Sequence, residues 1–78
     1  MYQVKIELHS VRAVLDFVSL ATSRRFPIRV GTEKHQVNAN SFMELFCLDL
    51  REPVLATLQC SEEEFRQFCL EADQFLVK

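Results

Sequence analysis

Three groups of residues in this 78-residue sequence have types and spacings that chemistry could use. The first is His9-Ser10-Val11-Arg12, which puts an imidazole, a hydroxyl and a guanidinium side by side. Ser10 stands just before a helical pattern, where its hydroxyl can cap free backbone N–H groups. With Arg12 in the first turn, that helix start is a candidate anion site. The second group is Ser41-Phe42-Met43-Glu44, a Ser-x-x-Glu capping box opening another helix. The third is Cys47, Cys60 and Cys69, odd in number and without a CxxC pair. Neither a disulfide framework nor zinc is expected of them, because His9 and His35 lie far off with no ligand spacing. They read as reduced thiols serving as small apolar side chains, as in a cytoplasmic protein. A paired carboxylate, a nucleophile triad, a metal cluster and a Gly-rich loop are all missing from the sequence. No stand-alone enzyme, no metal and no cofactor are therefore expected.

These groups are positioned by elements whose periods are easy to read. Tyr2, Val4, Ile6 and Leu8 share one parity and Gln3, Lys5 and Glu7 the other, so Tyr2 to Leu8 is a strand with one wet face. His9 continues the wet parity. Val14, Phe17, Val18 and Ala21 then recur at helical spacing, Arg24-Arg25 follow near the negative pole of the helix dipole, and Pro27 stops the helix. Ile28 and Val30 alternate again. Gly31 offers the one cheap positive-φ position, which predicts a hairpin to a short strand ending near Val37. A short helix runs from Ser41 to about Leu48, and a strand spans Pro53 to Cys60. The last helix opens on the capping box Ser61-Glu62-Glu63-Glu64 and carries Phe65, Phe68, Cys69, Ala72, Phe75 and Leu76 on one stripe. The order βαββαβα predicts an α+β domain over residues 1–78: a four-stranded antiparallel sheet with helices on one face.

Composition narrows the function classes. The chain is 49% hydrophobic with a single Gly, which excludes intrinsic disorder. A net charge of −2 disfavours nucleic-acid binding, which needs clustered Lys and Arg. An RNA-binding sheet is disfavoured too: the outward strand positions Lys5, Glu7, Arg29, Leu55, Thr57 and Gln59 include no aromatic pair for stacking bases. No apolar run reaches the ~20 residues of a membrane span, and the start of the chain does not read as a secretory signal.

The stretch Val37-Asn38-Ala39-Asn40-Ser41-Phe42-Met43-Glu44-Leu45-Phe46-Cys47-Leu48 resembles the histidine-containing phosphocarrier protein (HPr) family of bacterial sugar phosphotransferase systems. There the corresponding residues run roughly Val-Asp-Ala-Lys-Ser-Ile-Met-Gly-Leu-Leu-Ser-Leu. The resemblance implies a two-layer open-faced sandwich, sheet order 1-4-2-3, with three helices on one face. Counting back from Ser41 without gaps sets the family's His-Ala-Arg-Pro motif on Ser10-Val11-Arg12-Ala13, so that Ser10 takes the place of the phosphohistidine and Arg12 matches. The family's usual Gly two residues before the histidine becomes Leu8.

A relay needs an imidazole that takes a phosphoryl group and gives it up again, whereas a serine phosphate ester is too stable to pass onward. The resemblance therefore implies a regulatory, docking relative rather than a carrier, with Ser10 and Arg12 as the phosphate-binding start of the first helix. His9 is the alternative phospho-acceptor of a working carrier. Ser41 matches the serine that an ATP-dependent kinase phosphorylates in some relatives. Phe42, Met43 and Phe46 match the surface that docks phosphotransferase proteins, the kinase and a transcriptional regulator. A third possibility is an interaction or dimerisation module with neither phosphorylation.

Overall fold

A computed structural model describes residues 1–77. The first strand, β1 (Tyr2–Ile6), enters helix α1 (Val11–Thr22), and β2 (Ile28–Gly31) and β3 (Gln36–Asn38) form the hairpin. Helix α2 (Phe42–Leu45), strand β4 (Val54–Leu58), helix α3 (Glu62–Glu71) and a final 3-10 turn (Asp73–Phe75) complete the chain. The sheet is antiparallel with order β1-β4-β2-β3. The order, the sheet and its three helices match the expected sandwich.

The core lies between sheet and helices. Val14, Phe17 and Ala21 from α1 are buried with Ile6, Val30, Ala56 and Leu58 from the sheet, as the two periods require. Phe17 anchors the layer, meeting Phe68 and Phe75 edge-on with ring centroids at 6.1 and 5.4 Å. That geometry suits the aromatic quadrupole. Gly31 has φ 153°, and a Cβ there would stand 2.1 Å from the His35 carbonyl oxygen. No other residue fits this corner of the hairpin without moving the backbone.

Several boundaries differ from the sequence reading, each for a local reason. Strand β1 stops at Ile6 rather than Leu8, because Ile6 pairs with Val54 and the next position of β4 is Pro53, which has no N–H for the ladder. The Glu7 N–H donates instead to the Phe75 carbonyl at 2.8 Å. Pro53 likewise starts β4 one residue late, and the strand ends at Leu58. Helix α2 is a single turn, shorter than the span to Leu48.

The last stripe does not form one continuous helix. The chain tightens at Ala72, where the Phe75 N–H donates to the Ala72 carbonyl at 2.8 Å, swinging Phe75 onto Phe17 and freeing Leu76 to bridge to Ile6. Arg24 and Arg25 fall beyond the last turn of α1, and Arg24 pairs with Glu71 of α3 instead of meeting the dipole. Thr57, expected on the wet face, is 5% exposed. Its hydroxyl accepts from the amides of Gln3 at 3.3 Å and Gln36 at 3.5 Å, and these long side chains roof it over.

Candidate functional site

Helices α1 and α2 pack together, and of the sequence-expected residues His9, Ser10 and Phe46 line one cleft, while Arg12 lines a second with His9 and Ser10. Ser10 is extended (φ −147°, ψ 162°) and its hydroxyl accepts from the Ala13 N–H at 3.0 Å. The hydroxyl is thus occupied as the cap of α1. The His9 side chain is 64% exposed, and its Nε2 lies 2.9 Å from Glu7 Oε2. It follows the wet parity of β1 and makes no hydrogen bond to the α1 start. Arg12 leans along its own helix toward Asp16, Nε to Oδ1 3.3 Å, as residues one turn apart do.

Ser41 caps α2, its hydroxyl accepting from the Glu44 N–H at 3.4 Å. The reciprocal capping box, with the N3 carboxylate reaching back to the cap N–H, is complete at Ser61 and Glu64. On α2 and at its end stand Phe42 (43% exposed), Met43 (70%) and Phe46 (44%), outward as their spacing predicts. The two rings pack edge-on at 5.9 Å. Leu45, on the opposite side, is fully buried.

Between the start of α1 and the loop that follows α2 lies an open cleft of about 590 Å³. Leu8, Val14, Leu48 and Leu50 line its depth, and Ser10, His9, Phe46 and Arg51 its rim. Arg51 is held there by Asp49: Nε donates to Oδ1 at 3.0 Å, a terminal N–H to Oδ2 at 3.1 Å, and the Arg51 backbone N–H to Oδ1 at 3.1 Å. These hydrogen bonds, the side-chain ones first, keep the Asp49 carboxyl below its ordinary value, and Asp49 in turn raises Arg51. Sequence reasoning passed over Asp49 and Arg51. It also missed Val11 and Leu15, exposed apolar residues of α1, of which Val11 lines the cleft with Phe46. Their i, i+4 spacing at the flank of the core stripe was the available signal.

Cys47 is exposed just after α2, its thiol donating to the Met43 carbonyl at 3.5 Å. Burial pushes the Cys60 thiol up, with the charge of Glu64 adding to it, and burial alone raises Cys69. Among the described residues, no group of three or more His, Cys, Asp or Glu is placed to hold a metal ion. No helix among them is long and apolar enough to cross a membrane.

The architecture has a counterpart among solved proteins. The crystal structure of HPr-C-His from Thermoanaerobacter tengcongensis superposes with a TM-score of 0.73 at 25% identity, covering 92% of this chain and 90% of that one. This chain has an HPr-like fold. No protein-family model matches the sequence, and no curated protein matches it. The HPr-like sandwich explains why a helix start at Ser10 and a short helix at Ser41 share one face. The sheet order brings β1 and β3, the strands that precede them, to opposite edges, and both helices fold back over the same side.

Proposed function

We propose that this HPr-like protein works in a bacterial sugar phosphotransferase network as a docking and regulatory partner, neither an enzyme nor a phosphoryl carrier. The observation that carries the reading is the state of the two candidate acceptors. Ser10, which gap-free counting sets at the phosphohistidine position, offers a capping hydroxyl where a relay needs an imidazole, and the His9 imidazole has its Nε2 on Glu7. A serine ester does not pass its phosphoryl group onward, and the one imidazole nearby is engaged through Nε2 by a carboxylate. What remains suited to work is the exposed surface of Phe42, Met43 and Phe46, with Val11 across the cleft from Phe46. An apolar patch of this kind on a small protein is a docking surface, for phosphotransferase proteins, an HPr-type kinase or a transcriptional regulator. Ser41, at the edge of that patch, is the position for a regulatory phosphate, which would set close to two negative charges beside the contact. Its place is the cytoplasm.

The alternative, a carrier through His9, has one observation in its favour: the imidazole is accessible and rims the same cleft as Ser10. One assay separates the two. The protein is incubated with phosphoenolpyruvate and the general phosphotransferase enzyme, and separately with ATP and an HPr-type kinase. Acid-stable phosphate on Ser41 in the second reaction, with no acid-labile adduct in the first, is the expected result. An acid-labile phosphoryl group on His9 overturns the docking reading in favour of the carrier.

A further inference from the structure

We infer that the open face of the sheet, on the side away from the helices, is a docking surface for an acidic segment of a protein partner. This is a different face from the one proposed above, and the inference stands without that reading. The strand register lays it out. Gln3, Thr57, Arg29 and Asn38 are direct neighbours in one row across all four strands. A second row runs from Lys5 on β1 to Gln36 on β3, with the half-buried Leu55 between them. Neither row contains an acid, and Glu7 and Glu33, the nearest along the chain, lie beyond the strand ends. Lys5 and Arg29 are exposed, and among the described residues no carboxylate pairs with either. Arg12, Arg24, Arg51 and Arg66, by contrast, each meet a carboxylate. A chain of net charge −2 thus keeps two unpaired cations on a face without acids.

Charge complementarity calls for an acidic occupant, because these cations need not leave another carboxylate to meet it. The amides around them decide its class. Thr57, only 5% exposed, is the floor of a shallow cavity of about 240 Å³ bordered by Gln3, Arg29, Gln36 and Gln59. Its hydroxyl accepts one N–H each from Gln3 and Gln36, which leaves their amide carbonyls and the Gln59 side chain for a partner. An amide offers N–H and C=O together, which a peptide group matches; a phosphodiester has no N–H to give the carbonyls. Nor does either row hold an aromatic ring on which a base could stack. The occupant is therefore a polypeptide. Lys5 and Arg29 lie two strands and two residues apart, roughly 12 Å between backbones, which carboxylates about four residues apart on one side of an extended chain can span.

The probe is an end-capped, alternating Glu-Gly peptide of about ten residues, which sets its carboxylates on one side of the extended chain. Nitrogen–proton NMR of the full chain is expected to show shifts confined to Gln3, Lys5, Arg29 and Thr57 and to the side-chain amides of Gln36 and Gln59. The matching Gln-Gly peptide is expected to cause none. Lys5→Glu with Arg29→Glu is expected to weaken binding at least ~10-fold while the thermal melt stays native. Lys5→Gln with Arg29→Gln, which adds no repulsion, is expected to weaken it as well. Arg66→Glu, on α3, is expected to leave it unchanged. The inference is overturned by an absence of shifts up to millimolar peptide, by shifts that fall on the helices, or by an equal response to the Gln-Gly peptide. A loss at Arg66→Glu equal to that of the sheet pair overturns it too, since net charge alone would then be at work. Tighter binding of a single-stranded oligothymidylate than of the peptide overturns it in favour of a nucleic acid.

Discussion

Ser10 caps a helix of 12 residues with no acidic side chain in its first turn, whereas Ser41 caps one of 4 residues that carries Glu44 there. The first hydroxyl bonds at 3.0 Å and the second at 3.4 Å. A helix of three turns concentrates roughly half a positive charge at its start, and a single turn far less. An added negative charge at Ser10 would be absorbed by the fold, while at Ser41 it would meet Glu44 and stay on display. A phosphate on Ser41 would therefore act on what a partner sees, beside Phe42 and Phe46, more than on the stability of this molecule. Identical cap residues differ in what an added charge would do, because the helices they open differ in length and charge.

Removing the anchor behind each helix puts the greatest load on that contrast. Phe17 is fully buried and edge-on to two other rings, so Phe17→Ala is expected to cost ~3–5 kcal/mol, a large share of the ~5–15 kcal/mol a small domain has. Leu45→Ala also leaves a cavity and is expected at the low end of the ~2–5 kcal/mol range, because one surface turn relaxes more easily than a three-turn helix. Urea denaturation of both variants decides it. Equal losses would mean that α2 is as rigidly built in as α1.

Next in size come the caps themselves. Ser10→Ala is expected to lower stability by ~1 kcal/mol and Ser41→Ala by less than half of that, in line with the longer bond and shorter helix. Ser10→Asp is expected to match or exceed the parent, since Asp caps as well as Ser and α1 has no other acid in its first turn. Ser41→Asp adds a charge next to Glu44 and gains nothing. Thermal melts at low ionic strength separate these outcomes, and a gain at Ser41 that equals the gain at Ser10 would remove the electrostatic half of the contrast.

Much of this was legible in the chain because two periods and a few special residues carry it. The alternation of β1, the stripe of α1, the caps at Ser10, Ser41 and Ser61 and the Gly31 corner are all local signals, and the local reading is sufficient for them. What stayed hidden depends on partners distant in sequence. Thr57 is buried because Gln3 and Gln36 reach over it from two other strands. The last helix breaks because Phe75 is worth more against Phe17 than in a regular turn. Arg51 belongs to the cleft only because the loop after α2 folds back toward Ser10, which no spacing announces. The candidate site was therefore half readable: its caps and its Phe42–Met43–Phe46 surface from spacing, its rim only from the fold.

Thiol labelling gives a smaller but sharper view of the α2 side. Cys47 is exposed, while burial raises Cys60 and Cys69 and keeps their reactive thiolate scarce. A single alkyl adduct on Cys47 is expected well before the others at neutral pH, read by mass spectrometry after digestion. A bulky blocking group on Cys47 sits beside Met43 and is expected to weaken docking without unfolding the chain. Early labelling of Cys60 would instead report opening between β4 and α3.

The smallest effect concerns the loop between α2 and β4, which faces the start of α1 across the cleft. The Asp49 carboxyl is held down by its hydrogen bonds from the Arg51 side chain and backbone N–H. A depressed folded-state value means that the pair's contribution is fully present above the unfolded carboxylate value of 3.8 and disappears as pH falls through the lower folded one. Both groups are solvent-exposed, so the change in global stability is small, and a site-resolved measurement is needed. Carbon-detected NMR titration of the Asp49 carboxyl is expected to give a midpoint below 3.8, and Arg51→Gln is expected to move it upward by removing the side-chain hydrogen bonds. A midpoint that Arg51→Gln leaves unmoved would show that the guanidinium is free to swing over the cleft. The rim would then carry an unpaired cation beside Ser10, and the start of α1 would regain the anion-attracting character that the paired rim denies it.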